Sequence, residues 1–227
     1  MIPFHIATPQ GCDIQTFYGS ASSSASSNTR NWRTWNKPVG VSHIYMLLIG
    51  GGGDGTATLS GGSGAVTVWY GAAQHVPDVL QVYARGPFAS FGSASEVAYL
   101  SRSASFVELL QAHSSTGAAG GIDYNANYFT ASGFFQSVEG QDGVSSGSVS
   151  PSNTTFLSAG AGTSSAIVNA NYGYSANLTG TNGVGYFQLQ PIIVGVGSAN
   201  QSISAIGCGA RVNGTDLGPG MVLIASW

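Results

Sequence analysis

Hydrophobic residues in this chain fall into short β-type runs, separated by stretches of glycine, serine, threonine and asparagine. The clearest run is residues 39–49, VGVSHIYMLLI, long enough for one buried strand. Pro38 stands ahead of it, where no ladder donor is needed. Gly50-Gly51-Gly52-Gly53-Asp54-Gly55 ends it abruptly, because no side chain packs there and the backbone is free to take positive φ. Further strands are predicted at 2–7, 14–18, 65–70, 79–84, 128–130, 155–158, 166–170, 187–196, 202–206 and 221–224, with Trp69 as a core or interface anchor. Asn182-Gly183 and Asn213-Gly214 have two-residue hairpin-turn chemistry. One helix is predicted, over 103–113: Phe106, Leu109, Leu110 and His113 share a helical face, and Ser105 and Glu108 have capping-box spacing. Strands at intervals of roughly 8–12 residues give an all-β class, a β-sandwich or jelly roll with long Gly/Ser/Asn-rich loops and at most one short helix. No repeat period supports a solenoid.

The run at 39–49 has a framed context. Trp35, Pro38-Val39-Gly40-Val41, the strand and Gly50 to Gly53 open the frame, and Gly218-Pro219-Gly220, a short strand and Trp227 close it. This pairing resembles the glycine-rich domain of bacteriophage tail fibres and other virion structural proteins. The resemblance covers residues 32–227. It implies a virion part and carries over no catalytic residue. Residues 1–31, which include the low-complexity stretch 20–28, are then a leader or docking segment ahead of the domain.

Composition narrows the function. Charged residues are 7% of the chain, against about 25% in an ordinary globular protein. Hydrophobic residues still reach 43%, enough for a core. The 6 Lys and Arg form no patch, which argues against nucleic-acid binding. A weakly charged surface is poorly soluble alone and fits one covered by copies of itself or by other shell proteins. No window approaches ~18 apolar residues, so no membrane insertion is expected. The first residues, MIPFHIATPQGC, do not read as a signal peptide, so release by assembly and lysis is expected. Cys12 and Cys208 read as two buried free thiols, with a disulfide as the alternative.

Motifs for chemistry are weak. Gly50, Gly52 and Gly55 satisfy G-x-G-x-x-G, but residues 56–62 read as a loop where a dinucleotide site needs a helix. Gly143-Val144-Ser145-Ser146-Gly147 fits G-x-S-x-G inside a polar loop, without the strand and helix of a nucleophile elbow. His5, His43, His75 and His113 have no metal spacing, and His43 reads as a hydrogen-bonded sheet residue. Asp54 and Asp142 lie in glycine turns and read as turn formers. The sequons at Asn153, Asn177, Asn200 and Asn213 are matched by chance composition. No catalytic, cofactor or metal residue is assigned. Tyr172, Tyr174 and Asn177 form the best candidate for a sugar- or protein-binding surface, although packing between strands or subunits is the preferred reading of these tyrosines.

The expected function is therefore a non-enzymatic virion structural protein: a phage fibre, spike or capsid-decoration subunit located in the virion. Its expected partners are itself, as a homo-oligomer with a trimer favoured, and other virion proteins. The alternative is a host-receptor or carbohydrate-binding adhesin module, whose partner is a host surface glycan or receptor.

Overall fold

The computed structural model describes residues 12–19, 31–59, 61–86, 94–140, 142–143, 206–207, 209 and 218–227. They form an all-β fold of two antiparallel sheets. Nine strands are described: β1 (Asp13–Tyr18), β2 (Arg33–Asn36), β3 (His43–Ile49), β4 (Val66–Ala72), β5 (Val79–Tyr83), β6 (Ala94–Leu100), β7 (Phe106–His113), β8 (Gly133–Val138) and β9 (Met221–Ser226). The first sheet has the order β1-β9-β3-β4-β8, and the second β2-β5-β6-β7.

The uninterrupted apolar sequence of β3 has a physical cause: both faces of the strand are out of water. Ile44, Met46 and Leu48 point to one side, where they meet Trp69, Val222 and Ile224, together with Trp35, Leu80, Val97 and Leu110 of the second sheet. This shared cluster is the main core. Tyr45, Leu47 and Ile49 point to the far side and cluster with Val66, Val68, Met221, Leu223 and Ala225. A strand buried on both faces shows no alternation, only a continuous apolar run. Burial pushes the Tyr45 phenol well above its ordinary range.

Several expectations are corrected. The strand predicted at 39–49 begins at His43. Val39 is fully exposed and Gly40 has φ +85°, so these residues form a turn ahead of it. The helix predicted at 103–113 is strand β7. The reason is a β-bulge: Val97 pairs with Leu110 and Ala98 with Glu108, so Leu109 is an extra residue in the ladder. The bulge lets the neighbours Leu109 and Leu110 both be buried, which breaks period two and imitates a helical stripe. Among the described residues, helix is confined to single 3-10 turns at Ala73–His75 and Thr130–Ser132. The strand predicted at 128–130 is a turn leading into the second of these. Its Thr130 amide donates to Asn127 Oδ1 at 2.9 Å, and the Asn127 amide donates to Thr130 Oγ1 at 2.7 Å. The strand lies just beyond, at β8. Strand β1 falls within the 1–31 segment, yet it pairs along its whole length with β9, from Asp13 opposite Ser226 to Tyr18 opposite Met221. Strand β9 is consequently interior to its sheet, between β1 and β3. The strands predicted at 2–7, 155–158, 166–170, 187–196 and most of 202–206, and both Asn-Gly turns, lie outside the described residues.

The free edge of β7 is tied to the first sheet. Alternate carbonyls along it are each taken: Leu109 O by Asn127 Nδ2 at 3.1 Å, Gln111 O by Thr67 Oγ1 at 2.6 Å, and His113 O by the Ala65 amide at 2.8 Å. These bonds join the two sheets along the edge of β7 from Leu109 to His113.

Candidate functional site

Two constructions stand at opposite ends of the first sheet. The first is a layer of glycine backbone where β3 ends and β4 and β9 begin. Segments 50–53, 61–64, 117–121 and 218–220 lie directly on one another. Gly52 N donates to Gly218 O at 2.9 Å, Gly53 N to Gly62 O at 2.9 Å, Gly62 N to Gly117 O at 2.9 Å and Gly121 N to Ser63 O at 2.8 Å. A Cβ at Gly50 would fall 2.1 Å from His113 O, and one at Gly64 would fall 2.1 Å from Gly50 O. Only glycine permits this approach. The layer also settles the chemistry of the G-x-G-x-x-G match. The amides of Gly50, Gly52 and Gly53 are taken by the carbonyls of Ala65, Gly218 and Gly62 and that of Gly51 by Ser114 Oγ, and no helix follows. A phosphate cradle needs free amides at a helix N-terminus.

The second construction is aromatic and occupies the opposite end of the far face. His43 and Trp227 are mutually hydrogen-bonded cross-strand neighbours: His43 N donates to Trp227 O at 3.0 Å, and Trp227 N to His43 O at 3.1 Å. On β4, Tyr70 stands directly opposite Tyr45 of β3 and Phe134 of β8. The rings of His43, Tyr70 and Trp227 are nearly parallel, with interplanar angles of 15°, 19° and 13°. Their centroids are 5.7, 6.1 and 5.8 Å apart. Each pair is stacked with an offset, so the three rings pack on one another. Tyr70 and Phe134 remain 38% and 41% exposed, while His43 and Trp227 are half-buried. The Ser42 hydroxyl donates to Trp227 O at 3.2 Å and contacts His43 Nδ1 at 2.9 Å.

The residues singled out from sequence are dispersed. Tyr172, Tyr174 and Asn177 lie outside the described residues, as do His5, Cys208 and Ser145. Cys12 is a free thiol, half-buried where full burial was expected, because it flanks an edge strand; burial still pushes its pKa up. Asp142 Oδ1 accepts from the Gly120 amide at 2.8 Å, the bond of a loop-forming carboxylate. His75 is exposed in a 3-10 turn, and His113 lies against Tyr124 with ring centroids 6.5 Å apart. Among the described residues, no group of three or more His, Cys, Asp or Glu side chains could hold a metal ion. Sequence reasoning missed the aromatic end because its members come from four strands. The one available signal was Trp227 as the closing aromatic of the frame. No family model, curated protein or solved structure matches the chain.

Proposed function

We propose that this chain is a non-enzymatic virion structural protein, a subunit of a phage fibre, spike or capsid decoration that works through assembly and surface contacts. The observation that carries the reading is spatial. The two ends of the frame that resembles the glycine-rich virion domain are far apart in sequence and adjacent in the fold. Strand β3 pairs with β9 from Ile44 opposite Ser226 to Ile49 opposite Met221, and Gly52 N bonds Gly218 O at 2.9 Å. Trp35, the opening aromatic, is wholly buried in the shared core. The opening and closing motifs therefore act as one structural device.

Charge supports the same reading. Strands β3, β4, β8 and β9 contain no Asp, Glu, Lys or Arg. The chain as a whole is only 7% charged, which suits a subunit whose surface is covered in an assembly. The expected partners are copies of the chain, as a trimer, and other virion proteins. Mass spectrometry of purified particles tests the location, and the chain's absence from them would overturn the proposal. Light scattering after size exclusion tests the trimer, which should have three times the 23.0 kDa chain mass.

A further inference from the structure

We infer that copies of the chain meet through one end of the fold, the end at which β3 begins and β4 finishes. The inference rests on the homo-oligomer proposed above and adds the surface that holds it together.

The first observation is where the exposed apolar surface lies. On the far face of the first sheet, Ile14, Tyr70 and Phe134 share one cross-strand row with Ala225 and Tyr45, and all three are exposed. In the second sheet Leu100 stands opposite Phe106, and the β5–β6 register carried two residues on sets Val79 beside Leu100. These three are exposed as well. Lys37, which follows β2, donates to Ala73 O at 3.2 Å and Val76 O at 2.7 Å, so this second row lies at the same end, where β4 finishes. The turns at Val39 and Tyr128 also belong to this end, and both side chains are fully exposed. With Val107, nine of the twelve exposed large apolar side chains among the described residues are here. The others, Tyr18, Leu59 and Ile122, lie towards the glycine layer.

The area is that of an interface. At about 200 Å² for a large side chain, the nine expose roughly 1,000 Å². The largest apolar patch of an ordinary monomer is about 300–600 Å², and a standard interface takes about 800 Å² from each partner. Part of this surface is already ordered. Tyr128 sits in the turn locked by the reciprocal Asn127–Thr130 bonds, and Tyr70 is packed against the His43 and Trp227 rings. Burying groups already held in place costs less conformational entropy.

Charge selects contact between like ends. Asp54, Asp123, Glu139 and Asp142 are exposed beside the glycine layer. A head-to-tail contact would press the apolar end onto these carboxylates and strip them of water, at a large cost. Like ends cover apolar surface with apolar surface. They also bring together opposite charges, because Arg102, in the β6–β7 hairpin, and Asp78, beside β5, are both exposed at this end. Like ends gathered about one symmetry axis give a closed assembly, where head-to-tail contact leads to an open filament.

The test is light scattering after size exclusion, across a concentration series, on the full chain and three variants. The parent protein should be a multiple of 23.0 kDa. Val39→Asp combined with Tyr128→Asp should lower the mass to that of one chain, and so should Leu100→Glu, with unchanged far-ultraviolet circular dichroism. Leu59→Asp, at the opposite end, should keep the parent mass. An oligomeric parent whose folded Val39/Tyr128 and Leu100 variants keep its mass overturns this surface and leaves the oligomer standing. Dissociation by Leu59→Asp alone also overturns it, and assigns the contact to the glycine end. A parent protein that is monomeric throughout overturns the surface and the oligomer together, while mass spectrometry of particles still decides the virion role.

Discussion

Gly64 offers the sharpest test of the glycine layer. A methyl group there would sit 2.1 Å from Gly50 O and 2.8 Å from Gly50 Cα. Both are backbone atoms, so no side-chain rotation relieves the clash. The two segments must separate, which strains Gly50 N to Ala65 O at 2.9 Å and Gly64 N to Gly207 O at 2.8 Å. Overpacking costs about 1–3 kcal/mol, and each lost hydrogen bond adds about 1 kcal/mol. Gly64→Ala should therefore destabilise by about 3–5 kcal/mol, a large share of the roughly 5–15 kcal/mol of an ordinary domain. Two comparisons isolate the cause. At Gly51 a methyl would meet only ordinary contacts, the nearest at 3.4 Å to side-chain atoms of Arg85 and Ser114, and Gly51→Ala should cost less than about 1 kcal/mol. At Gly40 nothing lies within 4 Å but φ is +85°, so Gly40→Ala should show only the backbone cost of roughly 1–2 kcal/mol. Urea unfolding of the three variants gives the order. A Gly64→Ala protein within 1 kcal/mol of Gly51→Ala would refute the claim that backbone contact is what requires glycine in this layer.

Two further outcomes follow from the seam between the sheets. Thr67→Val should cost about 1–3 kcal/mol in urea unfolding, because the buried hydroxyl that serves Gln111 O at 2.6 Å and contacts Ser137 Oγ at 2.8 Å is replaced by a methyl of similar size. Thr67→Ser should recover most of that loss. Burial holds the His113 imidazole below its ordinary 6.5, against the opposing influence of Glu108 and Asp123. The folded state is thus the poorer proton acceptor there, so His113's contribution is complete above about pH 6.5 and is lost as the pH falls through its lower folded value. Melting temperature followed from pH 7.5 to 5 should fall less steeply in His113→Gln than in the parent protein.

Much of the fold was legible where burial is two-sided. Strands β3 and β9 are continuous apolar runs because both their faces are covered, and Trp69 declared itself as a core anchor in β4. The rest was hidden for identifiable reasons. Strand β6 carries Ser95 and Glu96 at fully buried positions, and polar residues there read as loop. Ser95 belongs inside because its hydroxyl donates to Ile49 O at 2.7 Å, a partner in the other sheet. Strand β7 was disguised by its bulge, and β8 by the glycine- and serine-rich sequence around it. The glycine clusters announced that strands end, but a glycine does not say which backbone it will touch. The aromatic end needs the β9-β3-β4-β8 order to exist at all, so no local pattern contains it.

The strand order also decides what the C-terminus does. Strand β9 is interior, with β1 hydrogen-bonded on one side and β3 on the other. All six of its residues are buried, and its side chains alternate between the two cores, Val222 and Ile224 into the shared one and Met221, Leu223 and Ala225 into the far one. Ending the chain at Gly220 would remove the four large buried apolar side chains of Met221, Val222, Leu223 and Ile224, worth about 1.5–3 kcal/mol each and together comparable to the whole stability of a domain, and Trp227 with them. It would also strip β1 of its partner and leave the β3 ladder unpaired on one side, between two faces that exclude water. The truncated chain should give no cooperative unfolding transition and no soluble folded species. A synthetic peptide of residues 221–227 added during refolding should restore both, because the vacant position between β1 and β3 is a template for a single antiparallel strand. A soluble truncated protein that melts cooperatively without the peptide would mean that the two cores hold together without β9, and would remove the physical basis for treating the opening and closing motifs as one device.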